Sequence, residues 1–332
     1  MTVESIQKPL KQALKFINDI QKKERELVRT NREWLDTIGG ILPQSVITIV
    51  ATSFGGKSTE LENIKADIMD RNINPSADKY IWFSHSLEMT PTSTTLRDIR
   101  KLLKKYIKDI LQNEFNEQEK QIVNNYYIGK NDGRFFVNYT APTPEEFFAS
   151  VSEFLDLHRD KEAVFIDIDH AALMKSSQDG KKSAIDGLGE YINSLKLKYE
   201  NAYFIILSQL NRNLDTRIQE KSNMMRILRS DIYQSDTLFH LSDYLYGLQN
   251  ASYLGVEQYR KINPEKYPHL EHRFTEEPDK NGKVSLLTER CIFVEILKDR
   301  TADAFAYIDL YSIEFGDFTK PTDNNKVQTP FF

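Results

Sequence analysis

The chain has 332 residues, of which 40% are hydrophobic and 28% charged, a composition typical of a soluble protein with one large α/β domain or two small ones. A net charge of -5 argues against nucleic-acid binding through overall charge, although a local basic face is compatible with it. The single cysteine, Cys291, excludes a disulfide framework and fits a reducing compartment. No run approaches the roughly 18 apolar residues that span a membrane, and the N-terminus has no secretory signal, so we expect a cytoplasmic protein.

The first predicted element is an amphipathic helix over residues 4–30. Leu10, Leu14, Ile17 and Ile20 recur at steps of three and four residues, as on one face of a helix. This pattern is compatible with two placements. The helix could pack on its own domain, or it could be an arm that lays its apolar stripe on a neighbouring subunit.

A turn at Gly39 and Gly40 precedes a series of short, β-branched and apolar runs that alternate with helical patterns. Such runs are typical of buried parallel strands, and their alternation with helices indicates an α/β fold with helices on both faces of a mostly parallel sheet. The predicted strands are 46–51, 80–83, 135–137, 163–166 and 203–207, and the predicted helices include 58–70, 94–111, 143–158 and 183–199.

The last third of the chain has a different pattern. Residues 238–248, 291–297 and 304–311 read as strands without long helices between them, which predicts an antiparallel extension of the same sheet. Residues 251–290 are polar, aromatic and charged, and we interpret them as a long insertion or a mobile loop. The tail, 319–332, is predicted to be flexible.

The first predicted strand leads into a phosphate-binding loop. The segment 51–58 matches the P-loop pattern except that Ala51 stands at its first glycine position. Two glycines let backbone N–H groups turn inward around phosphates, Lys57 can reach the β- and γ-phosphates, and Ser58 can bind Mg²⁺. The strand before and the helix after are the context that the motif requires. The residues predicted to hold the nucleotide are Ser53, Phe54, Gly55, Gly56, Lys57, Ser58 and Thr59.

Hydrolysis of a nucleotide also requires acidic residues near the loop. Asp167 follows the apolar run 163–166 and is predicted to position the metal from the end of a buried strand. Asp169, two residues on, is a weaker candidate. Glu88 follows the second strand and could orient the attacking water, but by its pattern alone a solvated acid that caps a helix is the better interpretation.

Four segments in chain order resemble the ATPase domain of DnaB-type replicative helicases, a RecA-like fold. Residues 34–41 resemble the segment that precedes the family's first strand, and 86–89 read SLEM, one of its motifs. Residues 165–167 resemble its Walker B motif, and 207–212 read LSQLNR. The resemblance extends from about residue 6 to about residue 318. It includes the linker helix of the family, which favours the interpretation of the first helix as an arm.

The resemblance implies an ATPase that uses ATP and Mg²⁺ and works as a hexameric ring. By this resemblance Glu88 is the catalytic glutamate, Asp167 the Walker B acid and Gln209 the γ-phosphate sensor. Lys298 and Arg300 correspond to a lysine and an arginine finger that reach the nucleotide of the neighbouring subunit. By pattern alone, residues 297–300 would read as an exposed charged turn.

The resemblance also implies that single-stranded DNA passes through the ring. One channel loop corresponds to 175–182, and the other lies in 230–236, where Tyr233, Gln234 and Asp236 replace the arginine, glutamate and glycine of the family motif. These replacements change the side chains that the motif offers to DNA. The predicted DNA contacts are Lys175, Lys181, Lys182, Arg226, Arg229, Tyr233 and Gln234.

We therefore predict a helicase subunit with a linker helix at 1–32, a RecA-like ATPase domain at 33–318 and a tail at 319–332. The family translocates 5′ to 3′, and its partners include primase, loader and single-strand-binding proteins. Cellular members of the family carry a further N-terminal helical domain, whereas this chain begins at the linker helix. We therefore expect either a phage- or plasmid-like form, which would act in the host cytoplasm, or a form whose collar is a separate protein. Two alternatives are a nucleotide-binding scaffold without translocation and a filament-forming recombinase.

Overall fold

The computed structural model describes residues 7–130, 132–176, 181–211, 213–220, 227–232, 235–250, 258–259, 286–287, 291–301, 308–314 and 317–319. The helices in these ranges are α1 Gln7–Gln21, α2 Lys57–Ile68, α3 Pro91–Leu103, α4 Ile107–Gln112, α5 Glu117–Lys130, α6 Pro144–Leu157, α7 Lys181–Lys198, α8 Asn213–Glu220 and α9 Ser235–Leu241. The strands are β1 Val46–Ala51, β2 Tyr80–Ser86, β3 Phe135–Asn138, β4 Ala163–Asp169, β5 Ala202–Gln209, β6 Tyr244–Asn250, β7 Gln258–Tyr259, β8 Leu286–Leu287, β9 Cys291–Asp299, β10 Ile308–Glu314 and β11 Asp317–Thr319.

Nine of these strands form one sheet in the order β11-β10-β9-β6-β1-β5-β4-β2-β3. The six strands from β6 to β3 are parallel, and β9, β10 and β11 extend the sheet with antiparallel pairs. The α/β prediction is confirmed, as is the antiparallel extension for β9 and β10. The segment 251–290 contributes β7 and β8, which pair with each other, and its other residues lie outside the described part of the chain.

The sheet separates two apolar cores. On the face that α2 covers, the rings of Trp82, Phe165 and Tyr203 stack across neighbouring strands with centroids 4.8 Å apart at each step. On the other face, Phe147 of α6 and Leu188 of α7 are fully buried against β4 and β5. Burial of large apolar side chains on both faces explains why the central strands read as continuous apolar runs.

The strand predicted at 238–248 begins later than expected, because a short apolar pattern does not separate helix from strand. Residues 235–241 are helical, and β6 begins only at Tyr244; it pairs antiparallel with β9, as predicted, and parallel with β1. Leu238 and Leu241 are buried in the core beside α7 as one helical face. The helix predicted at 94–111 is divided at Lys104, whose φ of 50° ends α3.

The first helix ends earlier than predicted, at Gln21, and residues 4–6 of the prediction lie outside the described residues. Leu10, Leu14 and Ile17 are 48–57% exposed, so this stripe is not buried by the described part of the same chain. No helix within the described ranges is long and apolar enough to cross a bilayer.

A buried ion pair joins the segment before β1 to α2. Nε of Arg32 lies 2.7 Å from Glu60, and its side chain also reaches Asp67 at 2.8 Å. The side chain of Glu60 is fully buried. Burial raises the pKa of Glu60, and the guanidinium beside it opposes that shift. Arg32 therefore neutralises the buried carboxylate of Glu60 in α2, the helix that follows the phosphate-binding loop.

We expect Arg32→Ala to lower the free energy of unfolding by about 3–5 kcal/mol, because it leaves Glu60 buried without its partner. Arg71→Ala is the matched control, since Arg71 forms a surface pair with Asp78 and should contribute less than about 1 kcal/mol. Urea denaturation of both variants measures the difference. Equal losses of unfolding free energy in the two variants would contradict a stabilising role for the buried Arg32–Glu60 ion pair.

Candidate nucleotide-binding site

The loop between β1 and α2 turns through two adjacent glycines. Gly56 caps α2 with a φ of 91°, in the left-handed region that glycine adopts readily. At Gly55, a Cβ would lie 2.6 Å from the Cβ of Ala51 and 3.0 Å from the carbonyl oxygen of Thr52. The methyl group of Ala51 thus fits at the first position of the motif only because residue 55 has no side chain.

Lys57 opens α2 and folds back over the loop. Its side chain is buried, and Nζ donates to the carbonyl oxygens of Ala51 at 3.4 Å and of Thr52 at 3.3 Å. Burial lowers the pKa of Lys57, and the charges of Glu88 and Asp169 oppose that shift. Both hydrogen bonds are long, so a phosphate anion would be a stronger partner for this ammonium group.

The carboxyl ends of β1, β5, β4 and β2 lie side by side at the edge that carries the loop. Gln209 ends β5, and its Nε2 donates to Oγ of Ser53 in the loop at 2.7 Å. Asp169 ends β4, and its carbonyl oxygen accepts a hydrogen bond from the backbone N–H of Glu88 at 3.3 Å. The structure therefore brings Ser53, Glu88 and Gln209 to one crevice, where ligands of open α/β sheets bind.

Glu88 lies two residues beyond β2 with an exposed side chain. Its charge acts on Lys57 and Asp169 in the same crevice. The alternative of a capping acid is wrong, because the N-cap of α3 is Thr90, whose Oγ1 accepts from the backbone N–H of Ser93 at 3.2 Å. Glu88 is thus free of a capping role and faces the phosphate loop.

The sequence pattern predicted that Asp167 ends its strand. In the structure β4 continues to Asp169, so Asp167 lies inside the strand. The Asp167 carboxylate is buried and already has three partners. Its Oδ2 accepts from Oγ of Ser84 at 2.6 Å and from the indole N–H of Trp82, and it lies 3.6 Å from Nζ of Lys65. These contacts explain why a carboxylate is tolerated inside a buried strand.

Asp169, the weaker candidate by sequence, is the acid that contacts the loop. Its carboxylate accepts a hydrogen bond from the hydroxyl of Ser58. Burial, together with the charges of Asp167 and Glu88, raises the pKa of Asp169 to about 6. By geometry, Asp169 replaces Asp167 as the candidate metal-positioning acid.

The residues at this point fit Mg²⁺ that arrives with a nucleotide. Oδ1 of Asp169 is buried and has no hydrogen-bond partner among the described residues, so it is an unused ligand oxygen next to Ser58. Mg²⁺ usually takes one or two protein oxygens and completes its shell with phosphates and water. In the described ranges, no group of three or more His, Cys, Asp or Glu side chains is placed to hold a metal ion.

Arg300 lies at the opposite edge of the sheet. Its guanidinium donates to Asp243 at 2.7 Å and to the carbonyl oxygen of His240 at 2.7 Å. Asp243 also accepts from the backbone N–H of Val46, the first residue of β1. The phosphate loop follows the last residue of β1, about 16 Å away at the usual rise of a strand. Arg300 and the loop of the same chain are therefore separated by the full length of β1.

Lys298 and Arg229 lie close to Arg300 at this edge. Nζ of Lys298 donates to the carbonyl oxygen of Phe239 at 2.5 Å, and burial and the charge of Arg300 lower the pKa of Lys298 to about 8. Arg229, predicted as a DNA contact, lies over the Phe239 ring at 4.4 Å and pairs with Asp236 at 2.9 Å. In this conformation its guanidinium is held by the protein itself.

The other predicted DNA contacts are described only in part. Lys175 is exposed and follows β4, and its backbone N–H donates to the carbonyl oxygen of Pro142 at 3.0 Å. Lys181 and Lys182 open α7, and the loop before them, 177–180, lies outside the described residues. Arg226, Tyr233 and Gln234 also lie outside them.

Sequence reasoning missed two side chains of the crevice. His170, the residue after Asp169, has its Nε2 3.4 Å from Oε1 of Gln209. Arg97 of α3 lowers the pKa of Asp169, and its NH1 lies 3.2 Å from the sulfur of Met89. The position of His170 at a strand end was a usable signal, whereas nothing in the local pattern distinguished Arg97 from other surface arginines.

Comparisons with known proteins identify the family and the fold of this chain. The family model for the DnaB-like helicase C terminal domain matches residues 28–267. The structure of the ATPase domain of G40P superposes with a TM-score of 0.67 at 16% identity, covering 97% of this chain and 100% of that one. A DnaB-like replicative helicase, solved in a study of its interactions with primase, superposes with a TM-score of 0.64 at 17% identity, covering 96% of this chain and 67% of that one. These TM-scores establish a common fold. No curated protein sequence matches significantly.

Proposed function

Because the chain belongs to the DnaB-like helicase C-terminal domain family, we propose that it is the ATP-hydrolysing subunit of a replicative DNA helicase. The observation that carries the proposal is the convergence of Lys57, Glu88, Asp169 and Gln209 on one phosphate loop. A fold alone does not imply an activity, but this set of side chains matches the parts that phosphoryl transfer requires.

In the proposed reaction, ATP binds with its phosphates on the N–H groups of Gly55 and Gly56 and on Lys57. Ser58 and Asp169 would hold Mg²⁺, which would neutralise charge on the phosphates. The Glu88 carboxylate accepts a proton from the attacking water, and the amide of Gln209 donates to the γ-phosphate. Residues 53, 54 and 59 complete the cradle.

We propose that Lys298 and Arg300 act on the nucleotide of a neighbouring subunit. The support is their position, because the edge that carries them is about 16 Å from the phosphate loop of the same chain. A head-to-tail arrangement of copies would bring one edge against the other and closes into a ring when the rotation permits. We propose a hexamer, with α1 laying its exposed apolar stripe on the next subunit.

We propose further that the segment 33–318 is one ATPase domain, with 1–32 as its arm, 251–290 as an insertion and 319–332 as a tail. Single-stranded DNA would contact Lys175, Lys181 and Lys182, which follow the Walker B strand. Residues 226, 233 and 234 remain candidates for the second DNA contact. Direction 5′ to 3′, partners such as primase or a loader, and a cytoplasmic site of action are proposed from the family alone.

The test is ATP turnover with and without single-stranded DNA, followed by strand displacement on forks with a 5′ or a 3′ tail. We expect DNA to stimulate turnover, displacement to require a 5′ tail, and both activities to be lost in Lys57→Ala. ATP turnover that DNA does not stimulate, or that persists in Lys57→Ala, would contradict the proposal and favour a nucleotide-binding scaffold. Filaments in place of closed rings by electron microscopy would favour a recombinase.

A further inference from the structure

His170 connects two strand ends behind the phosphate loop. It follows β4 directly and is 6% exposed. Its Nε2 lies 3.4 Å from Oε1 of Gln209, and its Nδ1 lies 3.3 Å from the carbonyl oxygen of Leu207. Gln209 in turn donates from Nε2 to Oγ of Ser53 at 2.7 Å. A continuous polar chain therefore runs from the imidazole to the phosphate loop.

The acceptors around the ring give this polar chain a direction. Nε2 lies against the amide oxygen of Gln209, and Nδ1 lies against the carbonyl oxygen of Leu207, so each nitrogen faces an oxygen that only accepts. With a proton on Nε2, the ring donates to the amide oxygen of Gln209, and the NH₂ group of Gln209 faces Ser53 and the loop, as it does in the structure. With a proton on Nδ1 alone, the ring would donate to Leu207, Nε2 would be an acceptor, and the amide would be stable only when turned over.

We propose that His170, with a proton on Nε2, is a positioning residue that keeps the NH₂ group of Gln209 directed at the γ-phosphate. The inference deepens the proposed function, since it assumes that Gln209 contacts the γ-phosphate in the crevice. A phosphate oxygen only accepts hydrogen bonds, so a turned amide would present oxygen to oxygen and lose the contact.

Two amide substitutions separate the two ring nitrogens. In His170→Gln, the side-chain NH₂ can occupy the position of Nε2 and still donate to Gln209. In His170→Asn, the shorter amide reaches only the position of Nδ1. We expect His170→Asn to lower kcat about ten- to a hundredfold, in the range for a supporting hydrogen bond. His170→Gln should restore most of the rate.

Two further readouts distinguish positioning from a general structural defect. His170→Asn should reduce the affinity ratio between a non-hydrolysable ATP analogue and ADP by the same factor as Gln209→Ala, and it should add nothing in the Gln209→Ala background. In ¹⁵N NMR spectra of histidine-labelled protein, His170, assigned by the signal that His170→Gln removes, should show a protonated Nε2.

Equal activity of His170→Asn and wild type would overturn the inference, as would additive effects with Gln209→Ala or a ring protonated at Nδ1 only. Failure of the proposed function would be distinct, because the wild-type protein itself would lack DNA-stimulated turnover. The affinity ratios and the tautomer still decide the role of His170 in that case.

Discussion

Replacing Arg300 by alanine is expected to slow ATP hydrolysis by a factor of about 10³–10⁵, the range for an arginine that stabilises charge on the transferring phosphoryl group. The effect should fall on kcat rather than on nucleotide binding, because the phosphate loop of each chain remains intact. Arg300→Lys should not recover the rate, since an ammonium lacks the planar fork of a guanidinium. Steady-state turnover with saturating single-stranded DNA measures both variants.

Mixing two inactive variants tests whether Arg300 acts across the interface. Glu88→Gln removes the base of a site, and Arg300→Ala removes the finger that the neighbour supplies. In rings assembled from equal amounts of the two, about a quarter of the interfaces combine an intact Glu88 with an intact Arg300. Turnover should therefore reappear on mixing. No recovery in rings shown to contain both variants would contradict action in trans.

Arg300→Ala also removes the ion pair with Asp243, whose carboxylate lies 2.7 Å from the Arg300 guanidinium. A control variant therefore has to test whether the loss of a cation beside Asp243 by itself lowers turnover. Asp243 keeps a second cation, Lys196, at 2.7 Å and a bond from the backbone N–H of Val46, so the substitution should destabilise the fold by less than about 1 kcal/mol. Lys196→Ala removes the other cation from the same carboxylate. A loss of turnover in Lys196→Ala as large as in Arg300→Ala would point to loosening of Asp243 instead.

Asp169→Asn is expected to reduce ATP hydrolysis at least about a hundredfold, because it replaces the ionised oxygen beside Ser58 that the structure offers to Mg²⁺. Asp167→Asn is the matched control, with the same change of group two residues earlier in the same strand. Its effect should fall on stability, at about 1.5–3 kcal/mol, because Lys65 and Ser84 lose a charged partner.

Turnover measured over a range of Mg²⁺ concentrations, together with thermal unfolding, distinguishes the two carboxylates. Asp169→Asn should require more Mg²⁺ and unfold near the wild-type temperature, or above it, since a buried carboxylate is neutralised. Asp167→Asn should unfold earlier and keep the wild-type dependence on Mg²⁺. The opposite result would restore Asp167 as the metal-positioning acid.

The β-strands that carry the site were predictable from the sequence because both faces of the sheet are buried. The runs at 46–51 and 203–207 are buried at every side chain, and in a chain of this composition a short, almost wholly apolar run is typical of a strand covered on both faces. The phosphate loop was predictable for a related reason, since Gly55 and Gly56 stand where backbone N–H groups must turn inward.

Other features were not predictable because they depend on contacts that are distant in sequence. The short apolar pattern of residues 238–241 is compatible with a helix and with a strand. Packing of Leu238 and Leu241 beside α7 stabilises the helix. The break at Lys104 has no glycine or proline to mark it. The strand containing Asp167 seemed to end at its first charge, because its partners Trp82, Ser84 and Lys65 lie about 80 to 100 residues away.

The sequence by itself determined the order of the strands along the chain, the position of the phosphate loop and the residue types available for its chemistry, because these depend on local pattern and spacing. Only the tertiary structure decided which side chains meet. It brought Asp169 to Ser58 in place of Asp167, placed His170 against Gln209, and put Arg300 at the edge opposite the loop. The physical reason is that strand register and sheet order, which no local pattern encodes, set the distances between residues far apart in the chain.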